Sequence, residues 1–296
     1  MPSQASAEMR KHLVKQGVRP GVSLADQRKE WADYAAKVPL VEGTRLQEEI
    51  IAGVPCVWIR SADNGSEDRR TILYFHGGGL VDGSPVTHRE FASRLARTTE
   101  LAVILVDYRL APEHPFPAAL DDALAVYRAL VSRPHSGGMV LGGDSSGATL
   151  VLSLMVRLRD AGEKLPEKAF TICGAFDASL SGESLQTRAD LDPCLSVEEL
   201  VDWQKHFKGS MDLKSPLLSP LFAELHGLPP LLMQAGDHDL WLSDTLRVAE
   251  KIKRSGGTVG LHVWDSMWHV WPMYSGLPEA DEAIAEIGRF ITSARG

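Results

Sequence analysis

Cysteine is scarce in this chain: Cys56, Cys173 and Cys194 are the only three among 296 residues. They are widely spaced, odd in number and form no C-x-x-C pair, so neither a disulfide framework nor a cysteine zinc site organises the fold. Long apolar runs are missing too. No stretch reaches the roughly 18 apolar residues that a membrane-spanning helix needs, and Met1 to Arg19 lack the apolar centre of a secretory signal. The expectation is a cytoplasmic protein without a membrane span. Positive charge is in deficit, with 31 Lys and Arg against 39 Asp and Glu and a net charge of −8. No basic run is long enough to neutralise a row of phosphates, so nucleic acid is not an expected partner. Repeats and low-complexity tracts are absent as well.

What is present is an alternation. Apolar, β-rich runs stand at Thr71–His76, Ala102–Asp107, Met139–Gly143, Ala169–Gly174, Pro230–Ala235 and Val259–Trp264. Helical patterns separate them, at Thr87–Thr99, Ala118–Val131, Ser146–Ala161, Ser243–Ser255 and Glu279–Ser293. Runs as apolar as Leu101–Val106 predict a mostly parallel sheet covered by helices on both faces, an α/β fold. Upstream, Leu46–Ile51 and Val54–Ile59 flank Ala52-Gly53 and predict an antiparallel hairpin at the sheet edge. Residues 1–40 and 177–228 break the alternation. Each carries too little apolar periodicity to be a domain, so 1–296 reads as one unit with two cap segments.

The segment Gly143-Asp144-Ser145-Ser146-Gly147 follows one strand run and leads directly into a helix. As a bare pattern G-x-S-x-G says little, but between strand and helix it describes a sharp turn that exposes its central serine. Ser145 is therefore the candidate nucleophile, standing near a helix N-terminus that favours developing negative charge. A second glycine motif, His76-Gly77-Gly78-Gly79, ends another strand run. Consecutive glycines let backbone N–H groups converge on one point, the requirement for an oxyanion hole, with the Ser146 amide completing the set. His76 reads as a loop-shaping residue, because a base there would break the chain order serine, acid, histidine.

That order directs the search downstream, to histidines 206, 226, 238, 262 and 269. His262 lies inside a strand run and reads as a side chain packed in or beside the sheet. His269 follows the last strand by a few residues, on the carboxyl edge where ligands gather in open α/β sheets, and is the candidate base. The acid belongs on the loop after Pro230–Ala235. Asp237 and Asp239 both lie there, and spacing does not separate them. Asp244 reads as a helix cap.

With these motifs placed, the chain from about residue 45 resembles the hormone-sensitive-lipase-like branch of the α/β-hydrolases, bacterial carboxylesterases in particular. The resemblance rests on His76–Gly79, Asp107–Ala118 (DYRLAPEHPFPA), Gly143–Gly147, Leu228-Pro229-Pro230 and the loop at His269. It implies Asp239 as the acid and Gly77 and Gly78 as the loop donors. Arg109 and Glu113 then brace the loop near the oxyanion turn. It further implies short to medium acyl esters as substrates, no cofactor or metal, and a homodimer through an edge strand. Three departures stand out: Leu240 replaces a proline, Leu80 an aromatic and Ser146 an alanine.

The expected chemistry is acyl transfer through Ser145, His269 and Asp239. Trp268 and Trp271 beside the base, and Trp203 and Phe207 in the cap, are candidates for either pocket walls or plain core. A lactone hydrolase would use the same site. Plant gibberellin receptors resemble this branch but lose the catalytic histidine, so His269 argues against a binding-only protein.

Overall fold

The computed structural model describes residues 2–17, 22–62, 70–133 and 137–293. The part of the N-terminal cap segment at 18–21 lies outside the described residues. Among the described residues, eight strands form one sheet in the order β1-β2-β4-β3-β5-β6-β7-β8. They are β1 (Thr44–Ile51), β2 (Val54–Ser61), β3 (Thr71–Phe75), β4 (Ala102–Val106), β5 (Met139–Asp144), β6 (Lys168–Ile172), β7 (Leu231–Gly236) and β8 (Val259–Trp264). All neighbours from β4 to β8 are parallel; β1 and β2 are antiparallel, as the hairpin pattern implied. The two-residue turn pairs Ile51 with Val54, and both Ala52 (φ 52°) and Gly53 (φ 85°) adopt the positive φ that a tight hairpin demands.

The central strands are apolar on both sides because both faces are covered. Leu73 and Phe75 of β3 join the core under α4 (Ala118–Val131), α5 (Ser146–Asp160) and α8 (Leu242–Arg254). Ile72 and Tyr74 point the other way, into the core under α3 (Pro85–Thr99) and α9 (Pro278–Thr292). Period-two alternation thus feeds two cores from one strand.

The cap segments attach at different places. α1 (Gln4–Gln16) docks on the start of α9, where Ser3 Oγ and Ser6 Oγ donate to Glu279 at 2.9 and 2.6 Å. α2 (Leu24–Ala35) lies by the glycine-rich loop. In the second segment α6 (Ser184–Thr187) and α7 (Val197–Phe207) share a small apolar cluster with Leu240 and Trp241, next to the predicted acid. α7 starts at a full capping box, Ser196 with Glu199. Among the described residues no helix is long and apolar enough to cross a membrane.

Candidate active site

Ser145 occupies the turn between β5 and α5 with φ 50° and ψ −121°, a region that L-residues seldom adopt. Such strain persists only where the surroundings hold it. Here the Ser145 N–H donates to Ile172 O (2.9 Å) and its carbonyl accepts from Ala175 N–H (3.2 Å), both on the β6 side. Gly147 explains how the turn can be this tight. A Cβ there would stand 2.0 Å from the carbonyl oxygen of Phe75, so α5 presses directly onto the end of β3.

Asp144, one residue before the serine, is buried and ties the turn to the glycine-rich loop. Its Oδ1 accepts from Tyr74 OH (2.8 Å) and Gly77 N–H (3.1 Å), with His88 Nε2 at 3.4 Å. Burial disfavours its charge, yet His88 and the Tyr74 hydrogen bond outweigh that and hold its pKa below the ordinary carboxylate value. Here the geometry departs from the sequence expectation: the Gly77 N–H is turned inward to Asp144. The loop amides that no acceptor within the described residues takes up are those of Gly78 and Gly79, together with Ser146 at the head of α5. The Ser146 hydroxyl accepts from Leu80 N–H (3.2 Å), so two of the departures from the family pattern contact each other.

His76 shapes this loop. Its ring stacks on Tyr108 with centroids 4.2 Å apart, and Tyr108 OH donates to the His76 carbonyl at 2.6 Å. Burial pushes its pKa down to about 3, which keeps the ring neutral. Glu113 braces the loop through Arg28 of α2, whose guanidinium also donates to Val81 O (2.7 Å) and Ala111 O (2.6 Å). Arg109 turns elsewhere, to Asp122 of α4 at 2.8 Å.

His269 and Asp239 meet as the sequence order requires. His269 Nδ1 lies 2.9 Å from Asp239 Oδ1, and both residues are buried. Burial works against a charged imidazole, but the charge and hydrogen bond of Asp239 prevail and raise the His269 pKa above its ordinary value. Asp239 Oδ1 also accepts the Trp241 N–H (3.0 Å). Asp237, the rival acid, points away and accepts from Ser266 N–H at 2.6 Å. His262 is exposed on β8, stacked on Trp264 and paired with Glu286 at 3.0 Å. Asp244 sits in the first turn of α8, where it accepts from Phe176 N–H (2.9 Å) and pairs with Arg247 (2.6 Å).

A cavity of about 40 Å³ opens beside Ser145, walled by Gly79, Thr149, Ala178, Leu200, Trp203 and Phe207. The cap aromatics are therefore walls, whereas Trp268 and Trp271 are fully buried in the core under α3 and α9. Trp203 lies so close to the loop that a Cβ on Gly79 would stand 2.4 Å from its indole. Two residues without a sequence signal also border the site. Asp192, in an Asp-Pro step of the cap, accepts from Leu240 N–H (3.0 Å), and burial pushes its pKa up to about 6. Cys173, at the end of β6, gathers with Asp239 and His269, with one ligand-type atom from each lying within 4.8 Å of the others. A metal there would have to displace the His269–Asp239 hydrogen bond. Burial, then the Asp239 charge, keeps the thiol protonated, so the trio suits hydrogen bonding better than an ion.

Residues 72–273, more than half of the chain, match the sequence profile of a family described as alpha/beta hydrolase fold. The chain belongs to that family. An acetyl-hydrolase of Streptomyces hygroscopicus is 38% identical over 241 residues, 81% of this chain and 80% of that one. An esterase of Acinetobacter venetianus is 38% identical over 225 residues, 75% and 74% of the two chains. Among solved structures, an esterase from the bacterial hormone-sensitive lipase family superposes with a TM-score of 0.93 at 36% identity, each chain covered completely. A hormone-sensitive lipase from a metagenome library gives 0.93 at 33% identity, covering 99% of both chains. Within the family, the hydrolase thus falls in the hormone-sensitive-lipase-like branch.

Proposed function

We propose that this hydrolase is a serine carboxylesterase for esters of short acyl groups, working through Ser145, His269 and Asp239. The observation that carries the reading is the buried His269–Asp239 hydrogen bond of 2.9 Å, behind a strained serine turn that lines a small apolar cavity. His269 takes the Ser145 proton as the hydroxyl attacks the ester carbonyl, then returns it to the leaving alcohol; water activated by His269 releases the acyl group. Asp239 fixes the imidazole with its Nδ1 protonated and its Nε2 free to act as base. The amides of Gly78, Gly79 and Ser146 receive the oxyanion, while Gly77 holds the loop to Asp144. One such donor is typically worth about 10²–10³ in turnover.

The cavity supports the acyl limit. Its walls, Leu200, Trp203 and Phe207 among them, are apolar and close in on Ser145, which suits a short acyl tail. The name carried by one relative, acetyl-hydrolase, agrees with it. The test is hydrolysis of p-nitrophenyl esters from acetate to dodecanoate by the wild-type chain, Ser145→Ala and His269→Ala. Both variants should lose activity by about 10⁴-fold or more. Full activity in Ser145→Ala would sink the proposal, and lactones run in the same assay score the cyclic-ester alternative.

A further inference from the structure

Cys173 is placed where no bystander thiol needs to be. It follows β6 directly with φ 50°, a strained backbone for a non-glycine residue, and its side chain is fully buried. Its Sγ accepts the N–H of Val270, the residue after the base, at 3.3 Å. Val270 is itself held at φ 48°. On the other side stands Asp239. Oδ1 of that carboxylate takes two donors, His269 Nδ1 and Trp241 N–H, while Oδ2 is buried with no hydrogen-bond partner among the described residues. A buried carboxylate oxygen without a donor is costly, and native proteins seldom leave one so. Cys173 Sγ lies within 4.8 Å of an Asp239 carboxylate oxygen and of a His269 ring nitrogen, and a thiol carries a proton that it can donate.

We propose that Cys173 is a positioning residue of the triad, its S–H donating to the second oxygen of Asp239 while its sulfur accepts from Val270. This rests on the reading of Ser145, His269 and Asp239 given above. One side chain then fixes the acid against rotation and anchors the backbone beside the base. Burial and the Asp239 charge raise the thiol pKa well above its ordinary value, so the proton needed for donation stays in place across the working pH range. The same protonation makes this thiol a poor nucleophile, consistent with positioning and not with covalent chemistry.

The experiment compares Cys173→Ala and Cys173→Ser with the wild-type chain, measuring kcat and KM on p-nitrophenyl butyrate alongside thermal unfolding. In Cys173→Ala, kcat should fall about tenfold with KM within twofold, because the acid loses its restraint while the acyl cavity is untouched. Cys173→Ser, which still donates and accepts, should recover to within about threefold of wild type. A Cys173→Ala enzyme whose kcat stays within twofold of wild type overturns the proposal. So does one whose kcat and KM both worsen and are not rescued by serine. If the alanine variant does not fold, the downfield proton resonance of His269 Nδ1 gives a second reading. A hydroxyl donates more strongly than a thiol and makes Asp239 a weaker acceptor, so this resonance should move upfield in Cys173→Ser; an unmoved resonance overturns the assignment. Retained activity in Ser145→Ala would instead sink the triad itself, which keeps the two failures distinct.

Discussion

Replacing Trp203 by alanine should lengthen the acyl chain that the enzyme accepts. Trp203 sits on α7 with its indole against the Gly79 backbone and forms one wall of the cavity beside Ser145. With that wall in place, the proposed preference for short acyl groups should make kcat/KM peak between acetate and butyrate. Removing the indole extends this space toward the cap. Each methylene moved from water into an apolar site contributes about 0.8 kcal/mol, close to a fourfold change in kcat/KM. Octanoate carries four more methylenes than butyrate, so full burial would favour it by about 3 kcal/mol, roughly 200-fold. Solvent reaches part of the new space, and the expected rise in the octanoate-to-butyrate ratio is at least about tenfold. The fold should survive. α7 keeps its capping box, the bond from Gln204 Nε2 to Ala178 O (2.6 Å) and that from Phe116 N–H to Phe207 O (2.9 Å). Trp203 is only half buried, so the stability cost should fall below the roughly 3–5 kcal/mol of a fully buried tryptophan. The assay is the p-nitrophenyl ester series with a melting curve on each variant. A folded Trp203→Ala enzyme with an unchanged chain-length profile would show that the acyl chain does not occupy this cavity.

On the proposed mechanism His269 must be neutral to accept the serine proton, and Asp239 raises its pKa, so kcat/KM should fall with decreasing pH along a limb centred above the ordinary histidine value of about 6.5. Asp239→Asn should move that limb to lower pH and cut kcat by orders of magnitude; a pH–rate profile with the limb unmoved contradicts this. Gly147→Ala places a Cβ 2.0 Å from Phe75 O and 2.6 Å from His76 O, so α5 must shift away from β3. The cost should be about 3 kcal/mol or more, read by differential scanning fluorimetry as a Tm lower by roughly 6–12 °C. Arg28→Ala removes donors to Val81 O and Ala111 O together with the Glu113 pair, and should destabilise by about 1–3 kcal/mol while raising KM. Glu113→Gln should cost less than about 1 kcal/mol, because that carboxylate is largely exposed.

The parts of the site readable from sequence are those whose geometry is local. A strand that ends at Asp144 and a helix that starts at Ser146 leave Ser145 little choice of place, and the Ala52-Gly53 hairpin is legible for the same reason. Asp237 and Asp239 mark the limit of that reading. Two residues apart after one strand, they differ only in how the turn rotates: Ser266 N–H captures the first, His269 the second. That rotation is set by residues about 30 positions away in the chain, invisible to spacing. The aromatics divide on the same ground. Trp268 is adjacent to His269 in sequence yet buried in the core, while Trp203, 66 positions before His269, walls the cavity because α7 folds back over the loop. Arg28 reaches Val81 across 53 residues and Asp192 reaches Leu240 across 48; neither pairing has a periodicity or motif to announce it. Cysteine reading works by pairs and spacings, so a solitary Cys173 carries no signal until β6 and the last loop converge. The candidate catalytic residues of this chain thus lie in short motifs, whereas the restraints around them come from distant segments, each holding the backbone within a few residues of a proposed catalytic group. Mutations at those restraints should therefore alter turnover and the pH limb without removing any reacting atom, a pattern that separates them from losses at Ser145 or His269 themselves.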